Sequence, residues 1–134
     1  MKPLSETQKF VFATMAIIAL IAASGKKPTM RESKAALGLI LSTDELLRNY
    51  HFALQIRSEL EKRLDEDLYR SSEEIFNEIK KLNVRPDFAS LALEIGVKYL
   101  KRNVRITADK ISVIEEASQR MGIPFKRHLS YWIK

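Results

Sequence analysis

From Phe10 to Ala23 the chain carries no charged residue and almost no polar one. An apolar run with no polar face predicts a helix covered on all sides by others. At 14 residues it falls short of the roughly 20 that a helix needs to cross a bilayer core. Lys2 and Lys9 before it, with Ala22, Ala23 and Ser24 after it, also resemble a signal peptide, so a membrane-directed segment is the alternative. Further along, Leu46, Leu47, Tyr50, Ala53 and Leu54 form a helical stripe that is interrupted at Arg57 and resumes at Leu60 and Leu64. Leu91, Ile95 and Tyr99, with Ala92 beside them, form a second stripe. No stretch alternates strictly over a strand length. Val104 and Ile106 read as a connection with Ile106 pointing inward.

Helix starts are marked by Ser5 with Gln8, Thr29 with Glu32, Ser42 with Glu45 and Ser71 with Glu74, four pairs with the spacing of a capping box. Pro86-Asp87 and Thr107 open two more helices, and Gly122-Ile123-Pro124 closes one and begins another. The expected helices are about 5–23, 30–41, 43–66, 72–82, 87–102, 108–121 and 124–133. The fold class is therefore all-α, with about seven helices in one domain spanning 1–134.

The chain echoes itself. Phe12-Ala13-Thr14-Met15-Ala16 is similar to Phe88-Ala89-Ser90-Leu91-Ala92, 76 positions later. Each leads an apolar helix, and Thr29-Met30-Arg31-Glu32 and Thr107-Ala108-Asp109-Lys110 start the helices that follow. This favours two pseudo-symmetric helix-loop-helix units over a simple four-helix bundle. Ala22-Ala23-Ser24-Gly25 with Thr29 and Glu32 resembles the first loop motif of the tellurite-resistance TerB family, with one extra loop residue. Asn103-Val104, Ile106-Thr107, Lys110, Ile114, Ala117 and Met121-Gly122-Ile123 resemble its second. The resemblance implies an all-helical fold of about seven helices and acidic loops linked to metal or stress responses. The positions it implies as acidic are Ser24, Glu32, Asn103 and Lys110, so one carboxylate of four remains. A hard divalent ion needs several oxygen ligands, and the expectation is a retained scaffold without the metal, with Lys110 pairing to Glu32.

Composition narrows the chemistry. The 134 residues contain no Cys, which removes disulfides, thiolate metal sites and cysteine nucleophiles. His51 and His128 lie 77 positions apart and form no local metal pair. The net charge of +6 is uneven, with +4 over 1–43, −4 over 44–80 and +6 over 81–134. That alternation favours charge pairing or a bipolar surface over a uniformly basic nucleic-acid protein.

Asp65, Glu66, Asp67, Glu73 and Glu74 are carboxylate candidates for acid–base work, but Lys62, Arg63 and Arg70 interleave with them as on a solvated helix end. His51 and His128 have no triad order around them. Gly25-Lys26-Lys27-Pro28-Thr29 lacks the Walker spacing and reads as a helix-capping loop. Lys98, Lys101, Arg102 and Arg105 share helical spacing, with Tyr99 adding an aromatic. Tyr131-Trp132-Ile133 is expected to dock on the core. These residues point to a non-catalytic, cofactor-free interaction module, cytoplasmic with membrane association as the alternative. It would bind another protein or a second copy of itself through the acidic 59–78 stretch and the basic 98–105 face. A basic-surface binder of nucleic acid or anionic membrane, using Lys26, Lys27 and Lys98 to Arg105, is the second expectation.

Overall fold

The computed structural model describes residues 3–24, 30–82, 84–102 and 106–123. Among them are seven helices and no strand: α1 (Glu6–Ala23), α2 (Met30–Ser42), α3 (Asp44–Arg48), α4 (Tyr50–Glu66), α5 (Leu68–Lys81), α6 (Pro86–Lys101) and α7 (Ala108–Met121). The all-α expectation holds. The expected helix over 124–133 lies outside the described residues, and the number seven is reached because the expected helix over 43–66 is divided in two.

α1 is the axis of the fold. It packs against α3, α4, α5, α6 and α7, and every residue from Ala13 to Ala22 is buried. By length and composition its 18 residues could cross a membrane, but 67% of that stretch is already buried in the bundle. Protein occupies the sides a bilayer would need, so the apolarity of α1 is accounted for by packing and lends no support to membrane association. Against it Gly96 of α6 packs closely: a Cβ there would stand 2.7 Å from Ile17 Cγ2. The two helices meet at a distance only a residue without a side chain permits. Phe10 and Phe88 stack at 5.0 Å between ring centres, tying the start of α6 to α1.

The caps explain where helices begin and where two expectations fail. Ser5 Oγ accepts from Gln8 N–H while Gln8 Oε1 accepts from Ser5 N–H, a complete capping box. Thr107 Oγ1 accepts from Lys110 N–H as expected, and Pro86 occupies the first turn of α6. Gly122 takes the left-handed conformation at φ 69°, with Ile123 N–H reaching back to Ser118 O, a Schellman closure. The Ser42–Glu45 box is not formed. Ser42 belongs to α2, and its hydroxyl donates back to Leu39 O. Asn49 then divides the predicted 43–66 helix, its side chain donating to Glu45 O and its backbone at φ −115°, ψ 36°. The break turns Leu47, expected in the apolar stripe, out to solvent.

The Ser71–Glu74 box also fails. Asp67 caps α5 one turn earlier, accepting from Arg70 N–H at 3.1 Å. Ser71, buried, instead donates to Arg63 O at 2.7 Å and fastens α5 to α4. Ile106, expected inward, is exposed.

The element order repeats a helix, a six-residue connection and a helix. α1 ends at Ala23 and α2 begins at Met30; α6 ends at Lys101 and α7 begins at Ala108. Each connection, 24–29 and 102–107, has six residues. α2 packs on α6 and α7 on α1, so each unit's second helix rests on the other unit's first.

Candidate functional site

At one end of the bundle α1 and α6 finish and α2 and α7 start. Tyr99, in the last turns of α6, is 1% exposed and belongs to the core, as its place in the Leu91–Ile95–Tyr99 stripe implies, and it therefore adds no aromatic to the basic face. Its hydroxyl donates to the Glu32 carboxylate in the first turn of α2. Burial, then the Glu32 charge, pushes the Tyr99 phenol well above the ordinary tyrosine range. Arg57 and Glu61 of α4 stand close enough to act on the same group, and they pair with each other at 2.7 Å. The polar residue that interrupts the apolar stripe at Arg57 is thus part of a semi-buried network joining α2, α4 and α6. It is the one signal in the sequence that marks this cluster.

The positions implied as a metal site divide. Ser24 donates its hydroxyl to Ile21 O at 2.8 Å and closes α1. Glu32 Oε2 is buried beside Tyr99. Lys110 is only 9% exposed and opens α7. Asn103 lies outside the described residues. Among the described residues no three of His, Cys, Asp and Glu gather as metal ligands. Ser24 thus closes a helix and Glu32 is held by a buried hydrogen bond.

The basic set is brought together in part. Lys98, Lys101 and Arg102 are all exposed at the C-terminal end of α6, where positive charge also complements the helix dipole. Arg102 reaches over α2, its Nη1 standing 3.2 Å from where a Gly38 Cβ would be. Arg105, Lys26 and Lys27 lie outside the described residues, as do His128, Tyr131 and Trp132. His51 is exposed on α4, its ring edge-on to Tyr50 at 5.5 Å. Asp65, Glu66 and Glu74 are exposed, Asp67 is a cap, and Glu73 pairs with Arg120.

What sequence reasoning missed is a groove of about 570 Å³ at the same end of the bundle. Its walls are the first turns of α5 and α7, and its floor includes Leu20 of α1, Phe76 and Val113. Leu68 is 47% and Tyr69 92% exposed on its α5 wall. Glu73, Asp109 and Glu116 stand around it. Arg120 pairs with Glu73 at 3.3 Å and Glu116 at 3.1 Å. Desolvation works against the Arg120 charge, but hydrogen bonds to Glu116 and Glu73 outweigh it and hold the guanidinium above its ordinary value. These three carboxylates and one guanidinium leave a net charge of about −2.

The acidic stretch and the basic face are therefore less separate than a linear reading implies. α5 starts beside Ser24 and the first turn of α7, and α7 starts seven residues after α6 ends, a separation that the connecting chain can stretch to no more than about 25 Å. Compared with known proteins, the chain matches no family model, no curated protein and no solved structure.

Proposed function

We propose that this all-helical domain is a non-catalytic interaction module that binds another protein through the end of the bundle where its two helix-loop-helix units turn. The observation that carries the reading is the groove at that end, with Leu68 and Tyr69 exposed on its wall. Large side chains left in water add nothing to folding, and apolar groups gathered in a charged frame are the usual composition of a recognition patch. The basic end of α6, Lys98, Lys101 and Arg102, supplies a second charge zone at the same end of the bundle and steers encounter. The resemblance of the two loop motifs to the TerB family supports a stress-response or envelope-associated assembly as the setting of such a module, acting from the cytoplasm. In that setting the metal-binding role has lapsed, since Glu32 is the one acidic loop position retained and it is committed to Tyr99.

The test is capture from native lysate on the immobilised chain, beside a Lys98→Glu, Lys101→Glu, Arg102→Glu variant, at two salt concentrations. A defined protein retained by the chain and lost by the variant is the expected result. Recovery of nucleic acid or anionic lipid instead, falling steeply with salt, would replace the reading with that of a basic-surface binder.

A further inference from the structure

We propose that the groove between α5 and α7 receives a basic amphipathic helix from the partner protein, its apolar stripe against Leu68, Tyr69, Phe76 and Val113 and its Lys or Arg side chains facing Asp109 and Glu116. The proposal rests on the interaction-module reading and names the partner's chemistry at one of its two charge zones. Three features of the groove support it.

The first is exposure. The groove is open to solvent along its α5 wall, where Tyr69 is 92% and Leu68 47% exposed, unlike the enclosing pockets that bury most of a small ligand. Such a trough suits an elongated element laid along it. The second is the helical wall itself. An amphipathic helix offers apolar anchors at i, i+3, i+4 and i+7, the pattern by which helices fill grooves between other helices. The third is charge. Arg120 neutralises part of the charge of Glu73 and Glu116, and Asp109 adds another carboxylate in the first turn of α7. Asp65, Glu66 and Asp67 precede the α5 wall and are exposed. A partner helix flanked by carboxylates would meet like charge along this edge, while one flanked by Lys or Arg would meet its complement.

Leu68 and Tyr69 make a clean test, because residues so exposed can be changed without emptying the core. The probe is a synthetic helical Leu/Lys peptide of about 18 residues with leucine at heptad-like spacing, titrated into the full chain by calorimetry. A Leu/Glu peptide of the same pattern is the control. The Leu/Lys peptide is expected to bind, the double variant Leu68→Ser, Tyr69→Ser to weaken it about tenfold or more, and Lys98→Glu with Lys101→Glu to leave it unweakened. Equal binding of the Leu/Glu peptide, or Leu/Lys binding unmoved by the double variant, would overturn the proposal. So would either of two results without peptide. A dimer that the double variant converts to monomer in sedimentation would make a second copy the occupant. A shift in the emission of Trp132, the single tryptophan, on making the double variant would make residues 124–134 the occupant. If the groove fails these tests while a defined protein is still captured and lost with the α6 variant, the chain binds through the basic end of α6 and the groove is not its docking site.

Discussion

At the scale of single residues the decisive group is Tyr99. A phenol at 1% exposure needs a partner for its hydroxyl, and Glu32 provides one. Tyr99→Phe removes the donor from a buried carboxylate and is expected to cost about 1–3 kcal/mol at neutral pH. The pH dependence has a defined sign. Tyr99 keeps its proton in the folded state above the pKa of about 10 that an unfolded tyrosine has. Its contribution is fully present below that value and is lost as pH rises beyond it, because the unfolded chain then releases a proton that the native one holds. Urea midpoints at about pH 8 and about pH 11 should show a steeper alkaline loss in the wild type than in Tyr99→Phe. Equal losses would mean that Tyr99 ionises without unfolding. Asn49, Ser71 and Asp67 show the same lesson in other terms: short polar side chains have several backbone partners to choose from, and neighbouring packing selects one.

Among the elements, α5 is where local sequence misleads. The Ser71-to-Glu74 spacing is that of a capping box, yet Ser71 is buried against α4 and the helix starts at Leu68 with Asp67 as its cap. A hydroxyl can bond an N–H three residues on or a carbonyl on a neighbouring helix, and the sequence does not distinguish the two. Asp67→Ala is expected to lower stability by about 1 kcal/mol, whereas Glu74→Ala, on an exposed position, should change it by no more than about 0.5 kcal/mol. Thermal unfolding of the two variants side by side checks this; a larger loss for Glu74→Ala would restore the later start. The added turn carries Leu68 and Tyr69, so the misplaced helix start is also the reason the groove was not legible. Where caps had no competitor, at Ser5, Thr107 and Gly122, the sequence reading and the fold agree.

For the molecule as a whole, α1 sets the hierarchy of stability. A helix enclosed by five others can open only when they separate, while the first turn of α5 stands at the edge of a groove. Amide hydrogen exchange should therefore find the slowest protons in α1, at the free energy of global unfolding, and local exchange at residues 68–70. Fast exchange in the middle of α1 would contradict that packing.

The sequence by itself determined the helical class, the central helix and most helix ends. All of these follow from periodicity and from caps whose partners lie within four residues. The tertiary structure decided which of the polar side chains serve the fold. Tyr99 with Glu32 and Arg120 with Glu73 pair across helices distant in the chain, whereas Arg57 with Glu61 and Arg120 with Glu116 are neighbours one turn apart on their own helices. It also decided that an acidic stretch and a basic one come to the same end of the bundle, with an apolar groove beside them. Such a surface is made where the ends of α1, α5 and α7 meet, and the direction in which each helix presents its side chains there is fixed only when all of them pack around α1.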